Sequence, residues 1–201
     1  MRTKPIFGAV LAASALMLAA TPAALDWTVD VPHSGVNFEV KHFFTPVDGS
    51  FESYDATLFY DPANPENSRV QARIEVGSVA TANERRDTHL LSEDFFEAET
   101  YPYITFESTE VEQVAEDRLL VRGPLRIKGQ ARDVELPVTI LGVKDIPAEM
   151  QEMLGGVTQV ASFETELTID RRDFGVGVGS WAATAVVGSD VDIRITVEAN
   201  R

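Results

Sequence analysis

The chain holds three histidines, His33, His42 and His89, and their spacing bears on whether they share a metal. Metal ligands must converge on one point, as in His-x-His or His-Glu-x-x-His. Neither spacing occurs, so structural roles are expected and no metal is. His42 continues the apolar face of its segment and reads as pointing inward. Cysteine is absent, which removes thiolate nucleophiles, disulfides and thiolate metal sites. Acidic residues are plentiful, yet nothing marks out a pair facing each other across a cleft, as glycoside hydrolysis requires. Gly177-Val178-Gly179-Ser180-Trp181 lacks the nucleophile-elbow pattern Gly-x-Ser-x-Gly. Gly175, Gly177 and Gly179 alternate with valine and read as a flexible or close-packed loop rather than a phosphate cradle. Arg85-Arg86-Asp87 and Arg171-Arg172-Asp173 each suit a local ion pair at a corner, or an arginine meeting a polar ligand group at a cavity mouth. No catalytic residue stands out, and the expectation is a protein that is not an enzyme.

Which elements would position these groups follows from periodicity. Apolar residues alternate with polar ones in about eight runs. They are Val36–His42, Tyr54–Tyr60, Val70–Val76, Ile104–Ser108, Leu119–Ile127, Val134–Ile140, Ala161–Ile169 and Val191–Val197. Period-two alternation marks strands with one face in a core and one in water, and so an antiparallel sheet. Turns are expected at Val47-Asp48-Gly49, Asp61-Pro62, Lys128-Gly129 and Gly188-Ser189-Asp190. Long amphipathic strands in series favour closure into a barrel, which removes exposed edges. A two-sheet sandwich is the competing architecture. An eight-stranded barrel is wide enough either to be packed solid or to hold one small ligand, and alternation alone does not separate these. Thr81 to Ala98 reads as helical, with Thr81-x-x-Glu84 as a capping box. Pro147 to Leu154 reads as a short helix ended by Gly155-Gly156.

The first 24 residues differ from the rest. A basic start with Arg2 and Lys4 precedes a charge-free run of 15 residues, Ile6 to Ala20, and small residues follow. That is the pattern of a secretory signal peptide, cut after Ala23 or Ala24. Residues 25–201 would form one mature domain with no membrane span, exported to the periplasm or secreted; an uncleaved N-terminal anchor is the alternative. The formal charge of −15 becomes −17 when Arg2 and Lys4 are removed. So acidic a chain is unsuited to nucleic acid or to anionic lipid head groups.

Five ordered motifs carry a resemblance. They are Val31-Pro32-His33-Ser34-x-Val36-x-Phe38-x-Val40-x-His42, then Thr81-x-x-Glu84-Arg85-Arg86-Asp87-x-His89-Leu90-x-Ser92-x-Asp94-Phe95-Phe96, and Tyr101-Pro102-x-Ile104-x-Phe106-x-Ser108. Gly123-Pro124-Leu125-x-Ile127-x-Gly129 and Ile169-Asp170-Arg171-Arg172-Asp173-Phe174-Gly175 follow in order. Over residues 26 to 199 the chain resembles the YceI family. That resemblance implies an all-β fold: one extended eight-stranded antiparallel lipocalin-like barrel, with one or two short helices. It also implies a cavity for an isoprenoid-like lipid or quinone, no catalytic residues and no cofactor beyond that ligand. Family members are often dimeric, so a homodimer is a further expectation. The segment Asp145 to Val157 departs from the family's compact loop. Its Met150, Met153 and Leu154 suit a cap on the cavity or a contact with a partner.

On this reading the interior is expected to hold Phe38, Val40, Leu58, Ile74, Val76, Phe106, Leu125, Ile127, Phe163 and Leu167. His42, Arg86 and His89 are the expected head-group contacts. The function expected is non-catalytic binding, storage or transport of the lipid. The alternatives are a solid, partner-binding barrel serving envelope stress or electron transport, or a scavenger of other lipophilic compounds.

Overall fold

Alternation along the chain becomes a closed ring of strands. The computed structural model describes residues 26–183 and 185–201; the expected signal peptide lies outside them. Twelve strands form: β1 (Asp26–Val29), β2 (Gly35–His42), β3 (Thr45–Phe51), β4 (Tyr54–Phe59), β5 (Arg69–Glu75), β6 (Val79–Ala80), β7 (Tyr103–Glu107), β8 (Glu110–Ala115), β9 (Arg118–Ile127), β10 (Gln130–Asp145), β11 (Gln159–Asp170) and β12 (Val187–Asn200). All pairings are antiparallel. The ring runs β1-β4-β5-β7-β9-β10-β11-β12 and back to β1. It is the expected eight-stranded barrel, because several labels are halves of one bent arm. β1 and β2 both pair with β12, on either side of a 3-10 turn at Val31–His33. β3 and β4 form the next arm, and β7 and β8 another along β9.

The bends have local causes. Gly123 of β9 sits where β7 gives way to β8, and a Cβ there would lie 2.0 Å from the carbonyl oxygen of Glu107. Only glycine lets the two backbones approach so closely. Two expected turns are corrected. Val47-Asp48-Gly49 lies inside β3, where Gly49 faces Phe38 and a Cβ would lie 2.2 Å from the ring. The turn falls instead at Phe43 and Phe44, between the paired residues His42 and Thr45. Gly188-Ser189-Asp190 lies inside β12, where pairing with β2 slips between Val187 and Val191. The slip is a bulge that absorbs the turn-like residues without breaking the strand.

The helical expectation is met in part. α1 spans Glu84–Leu90 only, and turns continue to Thr100. Its N-cap is Asn83, whose side chain accepts from the Arg86 amide, rather than Thr81. Thr81 is held otherwise: its hydroxyl donates to Asp87 and accepts from Arg86 Nε. α2 covers Ala148–Gln151. No helix among the described residues is long and apolar enough to cross a membrane.

The buried apolar residues divide into two clusters. One gathers Val36, Phe51, Phe95, Phe174 and Val176; the other gathers Trp27, Tyr60, Leu119 and Phe163. The loop after β11 is fastened by Arg171, which is 4% exposed. Its guanidinium donates to the carbonyls of Gly188, Val176, Gly177, Trp181 and Val187. Burial pushes its pKa down, yet arginine keeps its charge. The expected corner ion pair is made by the neighbouring Arg172, with Asp170 at 2.5 Å.

Two substitutions test these joints. Arg171→Met leaves five carbonyls without their donor, each costly to bury unpaired. It is expected to lower stability by about 2–4 kcal/mol in urea unfolding. Gly123→Ala forces the β7–β8 bend open and is expected to lower the thermal midpoint by several degrees, while Gly142→Ala, with open space around it, changes it little.

Candidate functional site

A hollow barrel shows itself in its inward side chains. In a packed core Phe38, Ile74, Leu125, Leu167 and Ile193 would be fully buried. Each is instead only half-buried, because it borders a void. That void is a cavity of about 480 Å³, bounded almost wholly by carbon. The volume lies in the range of small-molecule sites. Val187, Val191, Ile193, Ile195 and Val197 of β12 all line it. At about 3.4 Å per residue the regular row from Val191 to Val197 alone extends about 20 Å, so the cavity is elongated along the barrel.

Most of the expected interior is in place. Phe38, Val40, Leu58, Ile74, Phe106, Leu125, Ile127, Phe163 and Leu167 line the tube, and so do His42, Arg86 and His89. Val76 does not. It opens a 3-10 turn at Val76–Ser78, is 2% exposed and packs in the cluster with Phe51 and Phe95. The alternation runs one residue past the strand, and that side chain is buried among its neighbours instead of bordering the void. His42 borders the tube yet is exposed, with its ring edge-on to Phe43 at 4.8 Å. Sequence reasoning left Trp181, Phe174 and Val176 out of the lining, and offered Arg171 only within its triplet as a group for a cavity mouth. Their loop lacks alternation, and only the run of small and apolar residues hinted at it.

Polar groups are confined to a few places. Near the α1 end, Asp94 accepts from Trp181 Nε1 at 3.3 Å and is 3.0 Å from His89 Nε2. The His89 hydrogen bond, together with that of Trp181, holds the Asp94 carboxyl below its usual range. An ionised carboxylate only accepts, so His89 Nε2 is the donor. The His89 ring meets Phe95 and Trp181 edge-on, both at 5.0 Å. Arg86 Nη2 donates to the Thr81 carbonyl at 2.6 Å. These groups satisfy one another, so they form a firm collar at the tube's end. Deeper in, Thr165 lines the tube, and its hydroxyl is buried without a protein partner. At the far end, burial raises the pKa of Tyr60, whose carbonyl accepts from Trp27 Nε1 at 2.9 Å.

One cluster of possible metal ligands occurs among the described residues, and it lies outside the tube. Asp30, His33 and Glu198 place their ligand atoms within 4.8 Å of one another at the seam of β1 and β12. His33 Nδ1 is 3.0 Å from Asp30, whose hydrogen bond raises the histidine pKa. The set reads as an ion pair that pins the 3-10 turn to β12.

Comparison with known proteins supplies the remaining context. A "Protein YceI" from Escherichia coli is 33% identical over 189 residues, covering 92% of each chain. The crystal structure of Burkholderia cenocepacia BcnA superposes with a TM-score of 0.74 at 29% identity, covering 85% of this chain and 98% of that one. A Saccharophagus degradans domain described as polyisoprenoid binding shares the fold at 16% identity, with a TM-score of 0.63 and coverage of 89% and 99%. The YceI-like domain model matches residues 27–199, and with the closed barrel now described the chain belongs to that family.

Proposed function

We propose that the protein binds one isoprenoid-like lipid or quinone in the barrel without catalysing a reaction on it. The observation that carries this reading is the long, carbon-lined tube. Each CH₂ moved from water into such a wall contributes about 0.8 kcal/mol, so a long chain binds well with few polar contacts. The fold neighbour from Saccharophagus degradans, described as polyisoprenoid binding, supports the ligand class. Its polyprenyl chain would lie along Phe38, Leu125, Leu167 and Ile193. His89 and Arg86 stand where a polar end group would reach the collar. The almost wholly carbon surface of the tube favours carriage or storage over chemistry.

The N-terminal pattern supports export, and we place the mature protein in the periplasm. N-terminal sequencing of protein from that fraction is expected to begin at Ala24 or Leu25. An intact Met1 there would contradict cleavage.

The hollow barrel is tested by filling it. Ile193 faces Phe38 and Leu167 across its two pairings. Ile193→Trp is expected to fold with a thermal midpoint within a few degrees of the parent, because the void accepts the ring. Its affinity for an apolar fluorophore such as N-phenyl-1-naphthylamine is expected to drop at least tenfold. In a solid barrel the same change overpacks the core at about 1–3 kcal/mol. Loss of stability with no fluorophore binding in either protein would favour the solid, partner-binding barrel.

A further inference from the structure

The β2–β3 turn presents two large apolar side chains to water. Phe44 is 95% exposed and Phe43 55% exposed. Phe43 also has a φ of 54°, a conformation that glycine or asparagine adopts easily and a bulky L-residue adopts at a cost. Folding stability alone would place a small or polar residue here. The tip therefore keeps aromatic surface in water against two penalties, which points to a use outside the folded chain.

Its surroundings share one property. The Phe43 amide donates to the Val186 carbonyl at 2.8 Å, tying the tip to the loop that Arg171 fastens. From Phe174 to Ser189 that loop carries no charged residue, and neither does Phe43 to Val47. Val178 and Val186 of the loop are exposed as well. In a chain of net charge −15, these two uncharged segments side by side are a local exception, bordered by Lys41 of β2 and by the Asp94 carboxylate that Trp181 bonds. The rim also meets the tube: His42 and Val186, both exposed, are among the lining residues.

We propose that this rim docks on the surface of an electrically neutral lipid bilayer, with Phe43 and Phe44 inserted among the acyl chains, so that the tube mouth faces the bilayer. This rests on the lipid-binding reading and adds where the lipid enters and leaves. A bilayer suits the tip better than a protein partner does. Two protruding aromatics make a point rather than the roughly 800 Å² face that a stable protein interface buries on each side, and an aromatic pair at the interfacial depth is a common membrane anchor. The net negative charge of the chain selects neutral over anionic head groups.

The test uses the full mature protein and vesicles of phosphatidylcholine. Flotation should carry the protein up with neutral vesicles, and replacing a third of the lipid by phosphatidylglycerol should weaken binding several-fold. The double variant Phe43→Asn and Phe44→Ser keeps a turn-forming residue at the positive-φ position. It should keep the thermal midpoint and lose vesicle binding at least tenfold. A control, Met153→Ser with Leu154→Ser in the loop after α2, should bind vesicles as the parent does. Brominated acyl chains should quench Trp181, beside the collar, and spare Trp27, buried in the opposite cluster.

Uptake of a polyprenol from detergent separates the two readings. If parent and double variant both take it up and neither binds vesicles, the docking inference fails and the lipid-binding reading stands. If the parent takes up nothing from detergent, the lipid-binding reading fails and this inference falls with it. Concentration-dependent self-association, lost in the double variant and unaffected by vesicles, would instead assign the rim to a second copy of the chain.

Discussion

The structure depends on a ring of backbone hydrogen bonds that closes around an interior left unfilled. A barrel with a packed centre gains stability from its core; this one has a tube there. The ladder must then be complete, and β1 completes it. Four residues, Asp26–Val29, pair with β4 on one side and β12 on the other. With that join there is no free edge in the ring. The two apolar clusters supply the packed core on which the walls of the tube rest. Arg171 adds a third fastening, because its five carbonyl partners hold the loop that borders the mouth.

Polar chemistry is arranged to stay out of the tube's way. His89, Asp94 and Trp181 bond and stack with one another at one end, as do Thr81, Arg86 and Asp87. Their mutual satisfaction lets charged groups border an apolar space without collapsing into it. The surface that faces the tube is thus almost wholly carbon, with a hydrogen-bonded group of polar side chains gathered at the collar. The apolar rim beyond that collar then becomes intelligible as the side on which a lipid is exchanged.

Much of this was legible in the residues because strands write their burial every second position. Val191, Ile193, Ile195 and Val197 announced an inward face, and they have one. The helical motif around Arg86 and His89 lay at the tube's end as read. What alternation does not encode is what lies opposite a side chain, so Phe38 facing a void and Phe38 packed on a neighbour look identical in sequence. Val76 was misplaced for a related reason: the pattern continues into a 3-10 turn where geometry no longer obeys it. Gly49 read as a turn because its missing side chain is ambiguous. In the fold it makes room for the Phe38 ring within a strand. Arg171 gave no sign of its role, since its partners are carbonyls, which every residue carries.

Native mass spectrometry of the protein purified gently from its native source tests the central claim most directly. The account predicts a single adduct of defined lipid mass, removed by organic extraction and restored at one per chain by added polyprenol or quinone. A ligand-free mass that stays unchanged when those compounds are added would contradict it, and the tube would have to be explained without a lipid.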